Sequence, residues 1–452
     1  MLGFEVPEAH LSGVWLIFGI VLLELGLQRR LADFRFQGYA VAVLAILVSI
    51  FALSSEPHKW TLAVGTFASL LYAVRSSRWL TSLDELECGY VRGTASAATA
   101  MFTGFFLYRV IQTPYLPLAL LAASGVLIEL GLRNLPREMR WSGALLGVSG
   151  SLTLQFGTAL DIVKHPSTIS WITFSFAALV HYWFAVRFFS RGSKGDRLVA
   201  LLAAIPGSYF ALITLWMLLP DPWVPAAFAM LSFVFVEVGV RLNADEFLWH
   251  GRALTVAPTA FLVYLIVSSG SYGTQTHFGL LPNGVLACAL QWCTWYRARR
   301  QPAAWIHGWI AAAIGLLVIG NRFPDQELAG WTMLGLATAC VARFINQRHL
   351  RAQAAVIAAV VFVAGLLSWP LWQEAFAVIF YLIAIAMELP DGRRRLYYSA
   401  FTVLLAGATI YDRVSGGMLT LSWSLEGIGL LGAGFNLRER TLRLGGLALL
   451  VA

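Results

Sequence analysis

Apolar runs of 12 to 22 residues alternate along the chain with short polar segments. Runs of this kind, bounded by clusters of Arg, Asn, Pro or Gly, are typical of helices that cross a membrane. The pattern predicts eighteen helices joined by short connections. Their predicted ranges are 11–27, 38–54, 60–75, 93–113, 115–132, 141–159, 168–187, 198–219, 222–241, 252–269, 280–296, 303–320, 327–343, 352–369, 371–388, 396–411, 416–435 and 441–452.

The composition indicates that these helices lie in a membrane. Of the 452 residues, 58% are hydrophobic and 12% are charged, and the mean hydropathy is +0.71. A soluble globular chain carries about a quarter charged residues, so a soluble fold and a disordered chain are both excluded. We expect an all-α, polytopic transmembrane protein whose residues 1–452 form a single repeat domain.

The basic residues fall on one side of this predicted array. Of the 32 Lys and Arg residues, 27 lie in every second connection along the chain. Because Lys and Arg are retained on the cytoplasmic side, this distribution predicts basic cytoplasmic turns and an N-terminus on the opposite side. The formal net charge of +8 is therefore a topological signal, and we expect no nucleic-acid partner.

The basic turns recur about every 51 residues, which is the length of one helical hairpin and predicts nine hairpins. Glu24-Leu-Gly, Glu129-Leu-Gly and Glu237-Val-Gly end the first helices of hairpins one, three and five. Tyr72-Ala-Val-Arg and Phe184-Ala-Val-Arg end those of hairpins two and four. This alternation predicts four-helix super-units. Their ranges are 11–113, 115–219, 222–320 and 327–411, followed by a final hairpin at 416–452.

Some local features predict helix ends. Asn243-x-x-Glu246 and Asn436-x-x-Glu439 match capping boxes, so Asn243 and Asn436 are expected to begin return helices. Ser82-x-x-Glu85 predicts a short interfacial helix inside the connection 76–92. The last run, 441–452, would extend only about 18 Å, less than the ~30 Å hydrocarbon core of a bilayer. We expect either that the final hairpin is truncated or that this element does not span.

A longer segment resembles a known repeat. Residues 421–446, LSWSLEGIGLLGAGFNLRERTLRLGG, are echoed at 121–143 and, more weakly, at 11–38. This segment is similar to the repeated unit of a family of predicted bacterial multi-pass membrane proteins known as a domain of unknown function. The resemblance implies a location in the bacterial inner membrane, with the N-terminus in the periplasm, and it supplies no catalytic residues.

Four glutamates lie four or five residues before an arginine, close to the predicted cytoplasmic turns. This order favours ion pairs along a helix, which would hold the helix ends at the headgroups. A substrate or proton path is the alternative. The pairs are Glu24 with Arg29, Glu129 with Arg133, Glu237 with Arg241 and Glu388 with Arg393.

Glu426 lies ten residues before Asn436, near the predicted midplane, and its own helix carries no basic residue within two turns. It must meet a partner on another helix, face a watery cavity or carry a proton, because an apolar environment disfavours a charged carboxylate. With His181 and the helix-bending Pro206 and Pro258, it is our candidate for an intramembrane substrate or proton site. The structural alternatives are packing groups held by hydrogen bonds and tolerated kinks.

A second set of candidates lies near the predicted outer connections. Arg109, close to the end of a long helix, could snorkel to the interface or bind an anionic headgroup. Tyr272, Gln275 and His277 fall in the longest outer connection, Ser268–Gly284, as ligand contacts or as parts of a solvated loop.

The sequence lacks the familiar signatures of enzymes and metal sites. It has no GxxxxGK[ST], HExxH or GxSxG motif, and its four cysteines form no CxxC pair. We therefore predict no cofactor and no metal. Transport or binding of a small or lipidic solute within the helical array is the leading hypothesis. The alternatives are a non-catalytic scaffold that binds membrane proteins or lipids, and an envelope-lipid enzyme.

Overall fold

The computed structural model of the chain is helical throughout its described part. It describes residues 8–51, 59–78, 85–133, 136–162, 168–190, 194–269, 277–301, 303–323, 325–367, 370–388 and 393–451. Within these ranges every regular element is a helix and there is no β-strand, which confirms the all-α prediction. All eighteen predicted helices are present there.

The chain divides into two compact units, Met1–Leu218 and Leu219–Ala452. The boundary coincides with the end of the second predicted super-unit, although the super-units themselves stay a prediction. The α-helices of the first unit are α1 (Glu8–Gln28), α2 (Ala32–Phe51), α3 (Lys59–Arg78), α4 (Glu85–Val110), α5 (Leu116–Arg133), α6 (Arg137–Ile162), α7 (Thr168–Phe189) and α8 (Lys194–Leu218).

The second unit continues the succession of hairpins, with one predicted helix divided into α10 and α11. Its α-helices are α9 (Val224–Leu242), α10 (Asp245–Leu254), α11 (Val256–Ser269), α12 (His277–Ala298), α13 (Trp305–Arg322), α14 (Glu327–Ile345), α15 (Arg348–Gly365), α16 (Leu371–Met387), α17 (Arg393–Arg413), α18 (Gly417–Asn436) and α19 (Arg440–Val451).

The return helices begin earlier than their apolar runs predict. α2 begins at Ala32 rather than residue 38, and α10 at Asp245 rather than residue 252. The apolar run marks the part of a helix in a nonpolar environment, whereas the helix itself extends into polar residues. Acidic residues in these first turns, such as Asp33 and Asp245, favour a helix start. For the same reason, Glu85 begins the long helix α4, and the short interfacial helix predicted inside 76–92 was wrong.

Hairpins one, five, seven and nine share one tight turn. A left-handed residue lies four positions after a glycine or alanine on the first helix, and the second helix begins two positions later. The N–H between them donates to the carbonyl of that glycine, as in Leu31 to Gly26 at 2.9 Å and Ala244 to Gly239 at 2.9 Å. The left-handed residues are Arg30, Asn243, Asn346 and Arg438.

This geometry corrects the capping-box prediction. Asn243 has φ 50° and closes α9, and the N-cap of α10 is Ala244, which makes no side-chain capping bond. Asn436 is the last residue of α18 rather than the cap of α19. Asparagine tolerates the left-handed conformation that such a turn requires, which explains its presence there.

Small residues bring the two helices of hairpins one, three, five and nine into backbone contact. Hairpin seven has small residues at the same positions, but a β-carbon on its Gly335 would meet the Phe380 and Ile357 side chains. The small residues recur at the same spacing, seven residues before and twelve residues after the turn glycine or alanine. A β-carbon on Gly131 would lie 2.5 Å from the Arg140 backbone nitrogen, and one on Gly446 would lie 2.6 Å from the Gly427 carbonyl. The sets are Gly19, Gly26, Gly38; Ser124, Gly131, Gly143; Ser232, Gly239, Gly251; Gly335, Ala342, Ala354; and Gly427, Gly434, Gly446.

Successive hairpins within each unit pack in two rows. In the row of first helices, α1 packs on α3, α5 on α7, α9 on α12, and α14 on α16. In the row of return helices, α4 packs on α6, α11 on α13, α15 on α17, and α17 on α19. The cores therefore form between neighbouring hairpins, as in the cluster around Phe380, Tyr381 and Tyr398.

Proline interrupts one helix and is accommodated in two others. Thr255 separates α10 from α11, three residues before Pro258, whose missing N–H cannot donate to Leu254. Pro258 therefore lies in the first turn of α11 rather than at mid-helix. Pro206 lies inside α8 and Pro282 inside α12. Because α12 begins at His277, the long outer connection predicted over Ser268–Gly284 was too long.

Candidate functional site

A cleft of about 460 Å³ lies between the first two hairpins, in the first unit. We call it the α1–α4 cleft. Its walls are mostly apolar side chains from four helices, a volume and lining that suit a small ligand. The lining residues are Leu16, Gly19, Ile20, Leu23, Phe36, Gly38, Tyr39, Ala42, Val43, Ile46, Ser69, Tyr72, Leu86, Glu87, Tyr90, Val91, Thr94, Ala95 and Ala98.

Polar groups close the turn end of the α1–α4 cleft. Arg35 Nε donates to Glu87 Oε1 at 3.1 Å, and its Nη2 donates to Oε2 at 3.4 Å. The Tyr39 hydroxyl donates to the same Oε1 at 2.7 Å. These side chains come from the N-terminal parts of α2 and α4, which lie close together at this end of the cleft. They fix the Glu87 carboxylate beside an otherwise apolar wall.

A second polar pair stands at the same end of the cleft. Arg75 Nη2 donates to Glu24 Oε2 at 2.6 Å, which joins the ends of α3 and α1. The Tyr72 hydroxyl and the other Glu24 oxygen are buried neighbours that form no well-aligned hydrogen bond. Unpaired buried groups of this kind are costly, and a ligand headgroup or water at the cleft end would satisfy them.

The cleft opens sideways between α2 and α4. Val43 and Leu86 line the cleft and also expose 46% and 71% of their surface. From Phe36 to Ile46 the lining of α2 extends for roughly 15 Å along the helix axis. A narrow, elongated ligand could therefore enter from the side of the protein rather than along its axis.

The predicted ion pairs at the turns join neighbouring hairpins. Glu129 meets Arg133 four residues later, and it also accepts a hydrogen bond at 3.0 Å from Arg187 of the next hairpin. Glu237 repeats this arrangement with Arg241, at 2.7 Å, and with a further arginine, Arg297, at 2.8 Å. Glu129 and Glu237, of hairpins three and five, thus each bind the arginine near the end of the first helix of the following even hairpin.

One of the predicted partners was wrong. Glu24 binds Arg75 rather than Arg29, because a residue five positions later does not lie on the same face of a helix. Glu388 lies just past the end of α16 and meets Arg394 at 3.4 Å, and the side chain of its predicted partner, Arg393, lies outside the described part of the structure.

His181 and Pro206 are neighbours, on α7 and α8. His181 Nε2 lies 2.7 Å from the Ser151 hydroxyl, and its ring is buried between Phe184 and Phe210. A β-carbon on Gly207, next to Pro206, would lie 3.2 Å from the His181 β-carbon. Small size at Gly207 therefore allows this close contact, and the histidine is one member of a packed polar and aromatic cluster.

Glu426 lies on α18 in the second unit, and Pro258 lies on α11 in the same unit. α18 packs on α17 and α19, whereas α11 packs on α9 and α13. Both carboxylate oxygens of Glu426 are buried and have no hydrogen-bond partner. Within the second unit the structure therefore does not bring Glu426 and Pro258 into one site, and Glu426 is an acidic group without a hydrogen-bond partner.

The outer-face candidates are distributed over two places. Arg109 is half-buried in the last turn of α4, next to Tyr108, which is exposed. His277 begins α12. Tyr272 and Gln275 lie outside the described residues. A ligand at the outer face stays a prediction.

The polar end of the cleft is not among the sites predicted from the sequence. Tyr39 and Glu87 are separated by 48 residues, and Glu87 lies in a stretch predicted as a connection. The available signal was the alternation of Glu-x-Gly and Ala-Val-Arg motifs, which indicates that residues one hairpin apart meet. Among the described residues, no group of three or more His, Cys, Asp or Glu side chains is placed to hold a metal ion.

Comparison with known proteins gives a limited result. No family model matches the chain. No curated protein matches it in sequence. Among solved structures it is similar to a circular tandem repeat protein with a novel repeat topology, at 10% identity and a TM-score of 0.36, with 98% of this chain and 96% of that chain covered. A TM-score this low carries no argument about function, and the family resemblance of residues 421–446 stays a prediction.

Proposed function

We propose that the protein is a multi-pass protein of the bacterial inner membrane that binds an amphipathic lipid in the α1–α4 cleft. The observation that carries this proposal is the cleft itself, an apolar groove of about 460 Å³ with hydrogen-bonded charged groups at one end. An acyl chain would occupy the apolar part, and the headgroup would lie at the turns.

The distribution of side chains over the surface supports a membrane location. In the part of the chain that the structure describes, ten helices are long and apolar enough to cross a membrane. Large apolar side chains are exposed along them, such as Val21 at 47% and Leu44 at 47%. Polar side chains such as Ser124 and Gln291 are fully buried. An apolar exterior around a partly polar interior suits a lipid solvent rather than water.

The basic turns support the orientation. Arg29, Arg30 and Arg133 lie at the turn ends of the hairpins, the side that also holds the polar end of the cleft. Basic residues remain on the cytoplasmic side, so the headgroup of the bound lipid would lie at the cytoplasmic leaflet. Arginines near an anionic leaflet attract acidic headgroups, which favours an anionic phospholipid as the occupant.

The side opening distinguishes this proposal from solute transport across the membrane. The cleft rim at Val43, Leu86 and Tyr90 is exposed on the flank of the array, where acyl chains would surround it. A water-soluble substrate would gain little from such an entrance, whereas a lipid would reach it by lateral diffusion. The proposal is therefore one of lipid binding.

Photocrosslinking tests the proposed site. The protein is reconstituted in phosphatidylglycerol vesicles that contain a phosphatidylglycerol with a photoactivatable acyl chain. We expect crosslinks on cleft residues such as Ala42 and Thr94, and we expect Val43→Trp to abolish them by filling the cleft. Leu44→Trp is the matched control, because Leu44 has the same exposure but lies outside the lining.

The proposal fails if the cleft residues are labelled no more than the rest of the apolar surface. It also fails if Val43→Trp and Leu44→Trp have the same labelling pattern. A melting temperature close to that of the unsubstituted protein establishes that each variant is folded.

A further inference from the structure

Four polar side chains of the second unit converge at the start of α13. Arg252, Gln291, His307 and Gln353 come from α10, α12, α13 and α15, and their exposures are 5%, 0%, 0% and 0%. Six of their nitrogen and oxygen atoms are buried without a hydrogen-bond partner. Such a concentration of unsatisfied groups calls for a bound species that the protein alone does not provide.

The contacts place these side chains around His307 and Gly308. His307 Nδ1 lies 3.2 Å from Gln291 Oε1. A β-carbon on Gly308 would lie 2.7 Å from Gln353 Nε2, so the Gln353 amide rests directly on the helix backbone. Gln291, His307 and Gln353 therefore meet at the N-terminus of α13. Arg252 is near enough for its charge to act on the His307 imidazole.

The unsatisfied atoms are mostly hydrogen-bond donors. The donors are Nε and Nη2 of Arg252, Nε2 of Gln291 and Nε2 of Gln353. The other two atoms are the amide oxygen of Gln353, which accepts, and Nε2 of His307. An amide nitrogen and a guanidinium nitrogen can donate and cannot accept. The matching ligand is therefore one that accepts several hydrogen bonds at once.

The charge at this point is positive. Arg252 forms no ion pair with a carboxylate of the described residues, and Asp245 acts on it from a greater distance. The Trp249 ring, whose centroid lies 4.8 Å from the guanidinium carbon, stabilises the cation by a cation–π interaction but carries no charge to neutralise it. The N-terminus of α13, an 18-residue helix, adds the positive end of its dipole. Water molecules would satisfy the donors but would leave this charge uncompensated.

We propose that Arg252, Gln291, His307 and Gln353 form a binding site for a small oxyanion at the N-terminus of α13. A phosphate or a carboxylate group accepts from several donors and neutralises the guanidinium. The site lies in the second unit and does not depend on the proposed lipid cleft, which lies in the first.

Thermal unfolding of the purified protein in detergent tests this site. Inorganic phosphate or sodium acetate is added at constant ionic strength, with sodium chloride as the reference salt. We expect a saturable rise in melting temperature with one of the two anions, because a ligand that binds the folded state stabilises it. A response to phosphate would assign a phosphate-type ligand, and a response to acetate a carboxylate.

Two variants and one control locate the effect. Arg252→Gln should weaken the apparent affinity about tenfold or more, because it removes a charged donor. Gln353→Glu should abolish binding by placing a negative charge at the site, and it provides the test if Arg252→Gln does not fold. Arg343→Gln removes an exposed arginine of the same unit and should leave the affinity unchanged.

The proposal is overturned if neither anion raises the melting temperature beyond the effect of sodium chloride. It is also overturned if Gln353→Glu and Arg343→Gln respond to the anion like the unsubstituted protein.

Discussion

Glu24, Glu129 and Glu237 occupy the same place in three odd hairpins, two residues before the turn glycine. Each binds the arginine that ends the first helix of the next hairpin, Arg75, Arg187 or Arg297. The two motifs that alternate along the sequence are therefore the two halves of one interaction. A half-buried carboxylate gains most of its stabilisation from the cation that it meets on the neighbouring helix.

Replacement of one arginine in this interaction tests which partner matters. We expect Arg75→Gln to lower the free energy of unfolding by about 1 kcal/mol, because it leaves the Glu24 carboxylate half-buried without its partner. Arg29→Gln is the matched control, since Arg29 is exposed and lies near Glu24 in sequence. Thermal unfolding in detergent measures both. An equal effect of the two substitutions would contradict the assignment of Arg75 as the partner.

The sequence could predict that these glutamates are ion-paired but could not identify every partner. Spacing along one helix identifies Arg133 for Glu129 and Arg241 for Glu237, since four residues separate neighbours on a helical face. The partner on another helix depends on how hairpins stack, which spacing within one helix does not specify. The Tyr39–Glu87 contact and the polar site at His307 could not be predicted for the same reason, because they too depend on how helices from different hairpins pack.

The odd hairpin is the element that recurs most regularly. Its first and second helices meet through small residues at a fixed spacing, and a left-handed residue closes the turn. Close contact requires that the facing atoms be backbone. The identity of a residue at these positions is therefore constrained by space, and glycines elsewhere on the same helices are not constrained in this way.

Helix α18 contains one glycine in close backbone contact and one with open space around it. A β-carbon on Gly434 would lie 2.9 Å from the Arg443 backbone nitrogen, whereas one on Gly432 would meet nothing within 4 Å. We expect Gly434→Ala to destabilise the protein by about 1–3 kcal/mol through overpacking. We expect Gly432→Ala to stabilise it by up to about 1 kcal/mol, because alanine is the better helix former. Denaturation of both variants measures the difference, and effects of the same sign would contradict this account of the hairpin.

The helix boundaries could be predicted from the sequence where a helix ends together with its apolar run. The observed boundaries of the first helices are close to the predicted ones, as in α5, because these helices begin and end at the polar residues that bound their apolar runs. The return helices differ at their starts, since their first turns are polar and hydrophobicity does not mark them. The apolar pattern thus predicts the apolar part of a helix, and the turn geometry sets its actual start.

At the scale of the whole molecule, the described chain is a succession of hairpins with an apolar exterior. Hydropathy and charge distribution predicted this arrangement because both are summed over many residues and tolerate local errors. The course of the chain at each hairpin follows from the turns. The proposed ligand sites could not be predicted from hydropathy, charge distribution or turns, since they lie between hairpins and combine residues distant in sequence.

Cysteine labelling tests the proposed orientation. In a variant with Cys88, Cys288, Cys293 and Cys340 replaced by alanine, a single cysteine is introduced at Gln112 or at Ser190, both of which are exposed. We expect a membrane-impermeant maleimide to label Gln112→Cys in intact cells and Ser190→Cys only after permeabilisation. The reverse pattern would invert the orientation, and labelling of both in intact cells would contradict a membrane between them.

The Glu–Arg ion pairs described above join hairpin one to two, three to four, and five to six. They have a consequence for how such a chain can change in length. Each of these three pairs of hairpins neutralises its own glutamate internally. Gain or loss of a whole pair by gene duplication or deletion would leave no half-buried carboxylate without its arginine. Gain or loss of one hairpin would separate them. The unit of growth that electrostatics permits is therefore four helices, and homologues of different length should differ by that number.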